Sequence, residues 1–213
     1  MRLKFAGSLN GNTYTGMPVG GIVTSEFGVI RPKLSGQGKG HSGVDISKTG
    51  IEGTPILAPM DGVVNDRFTT EETVSWRQNV ARIFGNCVML RHNDSDGGLL
   101  GYTLYAHMAG TPNVERSQSV KQGDTLGVVG NTGQSTGPHL HWGCTVADNP
   151  YFSRSKGLNN PFNFLDTGDE DSVSVNQAEF DERQQKGSDL IDAGQSILND
   201  VIDDLQGKVE DME

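Results

Sequence analysis

Two short stretches of the sequence bring together side chains that can bind a metal ion. In His139-Leu140-His141 the histidines are one residue apart, so in a β-strand both imidazoles would point to one face, about 7 Å apart. The same period places His41 and Asp45 on one face, with Gly43 leaving open space between them. Zinc accepts imidazole nitrogen and carboxylate oxygen, and a catalytic site uses three protein ligands plus water. Two histidines and one aspartate meet that requirement.

The residues before each pair favour rigid positions. Gly38-Lys39-Gly40 leads into His41, and Thr136-Gly137-Pro138 leads into His139, so each pair follows a turn-forming segment. Such turns would hold the imidazoles in place. We therefore expect the two pairs to form one metal site.

Ordered blocks of the sequence resemble the lysostaphin-type, or LytM-domain, zinc metallopeptidases. The likeness spans roughly residues 18 to 146. The matching blocks are TSEFG (24–28) with Arg31, HSGVDI (41–46), GTPILAPMDGVV (53–64), LYAHM (104–108), VKQGD (120–124) and GNTGQSTGPHLH (130–141). The spacing of two histidines by one residue is weakly specific by itself, whereas these blocks in this order are highly specific.

The resemblance implies a role for each matching position. His41, Asp45 and His141 resemble the zinc ligands, and His107 and His139 resemble two catalytic histidines that do not bind the metal. A zinc ion there would polarise the scissile carbonyl and supply hydroxide near neutral pH. Because the sequence has no HExxH motif, no helical glutamate supplies the base. We expect His139 to take a proton from water and His107 to donate to the oxyanion, although the sequence leaves the assignment of these steps open.

The implied substrate is the peptide crosslink of bacterial peptidoglycan, and two departures from the family pattern leave the crosslink open. Gly143 and Cys144 follow Trp142, where the family commonly has an acidic residue. Residues 65–86 form a longer insertion than usual. The insertion carries three aromatic residues that either pack back on the body or line a substrate groove: Phe68, Trp76 and Phe84.

The remaining histidine and the two cysteines suggest structural roles. His92 follows an apolar strand at a turn and stays outside the predicted site. Cys87 and Cys144 lack a CxxC spacing, so neither a thiolate zinc knuckle nor a redox motif is available. We expect two free, partly buried thiols.

The pattern between these residues predicts a mainly β fold. The sequence has 29 glycines and a hydrophobic fraction of 34%, which suits many tight turns better than a large helical core. A short strand is expected within residues 20–28, between loops at 8–16 and 35–43. Further short β-prone runs follow at 55–58, 62–64, 87–90, 99–106, 125–129 and 140–146. Their spacing indicates an antiparallel β-sandwich or barrel-like sheet.

We divide the chain into a loop-rich segment 1–17, a metallopeptidase domain 18–165, and an acidic linker with an amphipathic helical tail at 166–213. Apolar residues recur every seven positions in the tail: Ile191, Leu198, Leu205 and Met212. Residues 188–213 would pack on the body, self-associate or dock on a larger assembly, unless the tail is disordered.

The charge of the chain lies in this tail. The net charge is −10, yet residues 166–213 hold 15 acidic and 3 basic side chains, which leaves 12 acidic and 14 basic in residues 1–165. A nearly neutral body argues against nucleic-acid binding, which needs a clustered basic face. No apolar stretch reaches the roughly 18 residues of a membrane-spanning helix.

Three alternative functions compete with zinc catalysis on peptidoglycan. One is a non-catalytic LytM-fold protein, which activates other wall hydrolases or serves as a structural protein of a phage or cell-wall assembly. A second is an acyl- or biotin-carrier module, because residues 58–62 and 120–123 resemble its two halves, but Lys121 lacks the carrier's flanking residues. A third is a structural role through the tail, which does not exclude catalysis.

The N-terminus predicts the biological setting. It shows no signal-peptide pattern, although the implied substrate lies outside the cytoplasm. We therefore expect a bacteriophage protein, carried on the virion for entry or released late as a lysin. Absence from purified particles, with no binding to virion components, would contradict the entry role.

Overall fold

The structure, a computed structural model, describes residues 6–9, 12–29, 40–93, 96–145 and 158–164. In these ranges the chain is mainly β, as the sequence predicts. The strands are β1 Ala6–Leu9, β2 Asn12–Thr15, β3 Gly21–Ser25, β4 Gly43–Ser47, β5 Pro55–Leu57, β6 Gly62–Phe68, β7 Asn86–Asn93, β8 Leu99–Met108, β9 Ser119–Val120, β10 Thr125–Val128, β11 Leu140–Thr145 and β12 Leu158–Asn159. Helix α1 is Ser75–Phe84, and a 3-10 helix covers Pro161–Phe164.

Two sheets make up the described part of the fold. The larger sheet has ten strands in the order β2-β1-β3-β4-β11-β8-β7-β6-β9, with β12 also paired to β11. Strands β5 and β10 form a separate antiparallel pair. Pairing in the large sheet is antiparallel apart from β1 with β3. The predicted antiparallel β architecture is confirmed.

Side-chain alternation gives the large sheet two different faces. The main core combines alternate residues of β4 and β11 with residues of the small sheet: Val44, Ile46, Leu140, Trp142, Ile56 and Leu126. Asp45 and His141 lie between these core residues in sequence. Because successive side chains of a strand point to opposite faces, Asp45 and His141 point away from the main core.

Helix α1 packs on the face to which Asp45 and His141 point. Ala81 of the helix belongs to a second apolar cluster, whose strand residues are Phe68, Cys87, Leu104 and Ala106. Arg77 holds the helix by ion pairs to Asp66 at 3.1 Å and Glu72 at 2.7 Å. The helix therefore covers one side of the face that carries the predicted site.

Residues 65–86 pack back on the body, which is one of the two arrangements that we considered for them. Phe68 is fully buried at the end of β6, and Trp76 is 45% exposed. Phe84, the last residue of α1, lies with its ring centroid 5.6 Å from that of His141. The segment thus packs back on the body and also places an aromatic ring beside the predicted site.

The structure differs from the predicted loop at residues 8–16, where β1 and β2 form an antiparallel pair. The sequence between them is Asn10-Gly11, which favours two-residue hairpin connections, and β2 contains the β-prone run Thr13-Tyr14-Thr15. The linker and helical tail predicted at 166–213 lie outside the described residues. The proposed segment boundaries therefore stay predictions.

The residues that we set aside as structural are buried. His92 lies inside β7, where we had expected a turn, and its Nδ1 donates to the Asp61 carbonyl at 2.8 Å. Its Nε2 lies 2.7 Å from the Thr103 hydroxyl oxygen. Cys87 and Cys144 are free and buried, as expected, and burial raises the pKa of both thiols. None of the helices in the described ranges is long and apolar enough to cross a membrane.

Gly43 corrects one expectation from the sequence. We expected open space beside it, but a Cβ built there would lie 2.4 Å from the carbonyl oxygen of Trp142. Strand β11 approaches β4 at this point, with Gly143 opposite Gly43. The glycine therefore allows two backbones to come together at the start of the strand that carries Asp45.

The substitution Gly43→Ala tests this close approach. The added methyl group cannot fit against a paired backbone, so we expect a loss of at least about 1–3 kcal/mol in the free energy of unfolding. Gly110→Ala is the control, because a Cβ there meets nothing within 4 Å. Urea unfolding measures both variants. Equal stability of the two would contradict the close approach.

Candidate metal centre

Strands β4 and β11 place two of the predicted ligands opposite each other. Asp45 pairs with His141 in the antiparallel register, and His141 pairs on its other side with Ala106 of β8. Directly opposed residues on one face have Cβ atoms only about 4.5–5.5 Å apart. Both side chains are almost fully buried. Sheet register thus brings together residues that are 96 positions apart in sequence.

His41 precedes β4 and is held by the segment after β3. Its backbone N–H donates to the Val29 carbonyl, and its carbonyl accepts from the Gly28 N–H, both at 2.9 Å. The Nδ1 atom of the ring lies 2.9 Å from the Glu26 carbonyl oxygen. Since a carbonyl oxygen only accepts, Nδ1 carries the proton and Nε2 presents a lone pair to the site.

His107 reaches the site through a β-bulge. Between the pairs Asn86–Met108 and Val88–Tyr105, strand β8 contributes one residue more than β7. His107 has a φ of 61°, a conformation that is strained for a residue with a side chain. With strict alternation its ring would point to the main core. The bulge turns the ring to the face that carries His141, and the ring centroids lie 5.9 Å apart.

His139 lies directly before β11 and is oriented by its own loop. Its Nδ1 donates to the Gly137 carbonyl at 2.8 Å and also lies 3.1 Å from the Ser135 hydroxyl oxygen. The Nε2 atom lies 3.6 Å from Oδ1 of Asp45. The ring centroids of His139 and His107 are 4.6 Å apart. The structure therefore brings all five predicted site residues into one cluster.

Three atoms in this cluster converge at equal distances. His41 Nε2, Asp45 Oδ1 and His141 Nδ1 are each 3.0 Å from the other two. Atoms that present lone pairs repel one another at this distance unless a proton or a metal cation lies among them. Tetrahedral zinc, with bonds of roughly 2.0–2.1 Å, holds its ligand atoms about 3.3 Å apart. The donor types and their spacing both fit a zinc ion.

Burial and the neighbouring side chains both shift pKa values at the site. It would raise the pKa of Asp45, but contacts with His141 and His41 outweigh it and hold the pKa well below its usual range. Burial lowers the pKa of His141. Burial, together with the neighbouring His141 and His139, lowers the pKa of His107 to about 3. An ionised carboxylate beside neutral imidazoles is the state in which such groups bind metal.

Sequence reasoning missed the groups that orient the rings. Three backbone carbonyls, those of Glu26, Thr132 and Gly137, accept hydrogen bonds from His41, His107 and His139. A backbone carbonyl has no sequence signature, so the amino-acid types could not reveal it. Phe84 was noted only as an aromatic residue of the insertion, and its place beside His141 depends on how α1 packs.

The whole centre lies within a known family pattern. The model of peptidase family M23 matches residues 39–152, which is more than half of the chain and includes all five residues of the cluster. The chain belongs to peptidase family M23.

Two relatives with similar sequences show how far the similarity extends. The DD-carboxypeptidase/endopeptidase Mpg of Neisseria meningitidis is 30% identical over 169 residues, or 79% of this chain and 33% of the relative. The peptidoglycan DD-endopeptidase ShyC of Vibrio cholerae is 38% identical over 121 residues, or 56% of this chain and 24% of the relative. The chain thus spans about a third or less of the length of these relatives.

Among solved structures, a mutant catalytic domain of the prophage-encoded M23 protein EnpA from Enterococcus faecalis aligns with a TM-score of 0.50. The two sequences are 28% identical, and the alignment covers 68% of this chain and 94% of the other. The NMR structure of lysostaphin also aligns with a TM-score of 0.50, at 25% identity over 71% of this chain and 53% of the other, which confirms the lysostaphin-like fold expected from the sequence.

Metal binding by the purified chain tests the centre. We expect chelator-treated protein to bind one zinc ion, because three donor atoms already converge. Asp45→Asn, which removes the anionic ligand, should weaken binding by at least about 100-fold. Asp61→Asn makes the same chemical change at an exposed ion pair with Lys121 and should bind zinc like the wild type. Calorimetric titration measures all three. Equal affinities would contradict the assignment of Asp45.

Proposed function

We propose that this chain is a zinc-dependent endopeptidase that hydrolyses peptide crosslinks of bacterial peptidoglycan. The observation that carries the proposal is the convergence of His41 Nε2, Asp45 Oδ1 and His141 Nδ1 at 3.0 Å, beside two further imidazoles. The names of Mpg and ShyC, a DD-carboxypeptidase/endopeptidase and a peptidoglycan DD-endopeptidase, support the substrate class.

His41, Asp45 and His141 would hold the zinc ion, which supplies Lewis acidity toward the scissile carbonyl and the attacking water. His139 is placed to move the proton. Its Nδ1–H is tied to the Gly137 carbonyl, so Nε2 presents a lone pair beside the ligands. We assign this atom to accept the proton of the attacking water and to return it to the leaving amine.

The tautomer of His107 changes the role that we expected for this residue, which was donation to the oxyanion. Its Nδ1–H donates to the Thr132 carbonyl at 2.7 Å, so the neutral ring has no proton on Nε2 to give to an oxyanion. The low pKa of about 3, which burial causes, opposes protonation of the ring. We therefore propose that His107 Nε2 accepts a hydrogen bond from the attacking water and does not donate to the oxyanion.

Hydrolysis of purified cell walls tests these assignments. His107→Gln and His139→Gln should keep zinc binding, because neither residue belongs to the converging triad, yet activity should fall by about 100- to 10,000-fold. Asp61→Asn should retain activity. A chelator should abolish the wild-type reaction, and added zinc should restore it. Mass spectrometry of the released muropeptides follows all reactions and identifies the crosslink that is cut.

Two results would reject the proposal. A muropeptide pattern that the chelator leaves unchanged would contradict a zinc mechanism. Zinc-loaded wild type that releases no fragments from walls of several crosslink types would favour the alternative, a non-catalytic LytM-fold protein of a wall or phage assembly.

The biological setting stays a prediction. An action on the host wall from a phage virion, or as a late lysin, is in line with the prophage origin of EnpA. The segment 188–213, proposed for self-association or docking on a virion protein, lies outside the described residues. Binding of the purified full chain to virion components tests this role.

A further inference from the structure

The orientation of His107 depends on a contact outside its own strand. The residue lies in a bulge with a positive φ, so its backbone conformation is disfavoured and must be held by surrounding contacts. The Nδ1–H group donates to the Thr132 carbonyl at 2.7 Å. Because a carbonyl oxygen only accepts, this bond places the proton of the neutral ring on Nδ1 and leaves a lone pair on Nε2.

Hydrogen bonds of the Thr132 side chain hold the accepting Thr132 carbonyl in place beside the sheet. Its hydroxyl group donates to the Met108 carbonyl at 2.7 Å and accepts from the backbone N–H of Asn86 at 3.0 Å. Met108 follows His107 directly, and Asn86 is the residue opposite Met108 on β7. The hydroxyl group therefore links the loop that bears the accepting carbonyl to both strands of the bulge.

Neighbouring contacts leave this loop little room. A Cβ built on Gly85 would lie 2.2 Å from the Thr132 hydroxyl oxygen, and one built on Gly133 would lie 2.3 Å from the Gly85 nitrogen. The N–H of Gln134 donates to the Ile83 carbonyl at 2.9 Å. The loop is thus seated directly on the end of α1 and the start of β7.

Asn86 completes the connection. It is 6% exposed, and its side-chain amide donates to the Met108 carbonyl at 3.3 Å. Its side-chain oxygen accepts from the Thr70 N–H at 2.8 Å. The Met108 carbonyl therefore receives two hydrogen bonds, one from Asn86 and one from Thr132.

We propose that Thr132 is a positioning residue for catalysis: its hydroxyl group fixes the tautomer of His107 and the direction of Nε2. The inference rests on the proposed function in so far as His107 takes part in the reaction. The proposal predicts that catalysis depends on the hydroxyl group of Thr132 and not on its methyl group.

Paired substitutions at Thr132 separate these two groups. Thr132→Val keeps the shape and removes the hydroxyl, whereas Thr132→Ser keeps the hydroxyl and removes the methyl. For Thr132→Val we expect kcat on cell-wall peptides to fall roughly 10- to 100-fold, with KM changed less than about threefold. Zinc affinity should stay within about twofold of the wild type, because the triad is untouched. Thr132→Ser should restore kcat to within about threefold of the wild type.

NMR signals of the histidine ring nitrogens report directly which nitrogen of His107 carries the proton. In zinc-loaded, 15N-histidine-labelled full chain, wild type and Thr132→Ser should show His107 protonated at Nδ1 alone, and Thr132→Val should show a mixture of tautomers. Thr111→Val is the matched control at an exposed threonine outside the site and should resemble the wild type. If Thr132→Val unfolds, Thr132→Ala serves instead, since it removes the hydroxyl without adding a methyl against the Asn86 N–H.

A single His107 tautomer in the hydroxyl-free variant, or equal losses of kcat in the serine and valine variants, would overturn the proposal. Failure of the proposed function has a different signature. In that case wild type releases no wall fragments, while the ring-nitrogen spectra still decide whether Thr132 positions His107.

Discussion

The convergence of three potential ligand atoms is the constraint on which the centre depends. His41 Nε2, Asp45 Oδ1 and His141 Nδ1 are held 3.0 Å apart, a distance at which a proton or a metal cation must lie among them. The distance follows from the pairing of β4 with β11, which puts Asp45 opposite His141. Gly43 lets these two strands meet, and the main core behind them fixes their register. The convergence of the donor atoms thus originates in the packing of the sheet.

Backbone carbonyls control the chemistry of the histidines. His41, His107 and His139 each donate Nδ1–H to a carbonyl, so that each ring presents Nε2 toward the cluster. A carbonyl cannot accept from an unprotonated nitrogen, and this removes the tautomeric freedom of a neutral imidazole. His141 is the exception, because its Nδ1 atom faces the cluster while Nε2 lies 3.5 Å from the Ser42 hydroxyl oxygen. Histidine therefore supplies both candidate metal ligands and proton acceptors within one cluster.

The site residues could be predicted from sequence, whereas their geometry could not. His41, Asp45, His107, His139 and His141 stand in ordered motifs, and the strand period places Asp45 and His141 on the face away from the apolar residues beside them. The bulge at His107 has no comparable signal, because it depends on a register shift between β7 and β8. The same limit applies to β1 and β2, because residues 8–16 were predicted to form a loop. Pairing between distant segments decides such features, and amino-acid types record it only indirectly.

X-ray absorption at the zinc edge of the loaded full chain tests the central claim most directly. The account predicts a first shell of about four light atoms at roughly 2.0–2.1 Å, with the outer-shell pattern of two imidazole rings. Asp45→Asn should lose that shell, and Asp61→Asn should keep it. A sulfur ligand at about 2.3 Å, or a shell with no imidazole pattern, would contradict the assignment of His41, Asp45 and His141 as the zinc ligands.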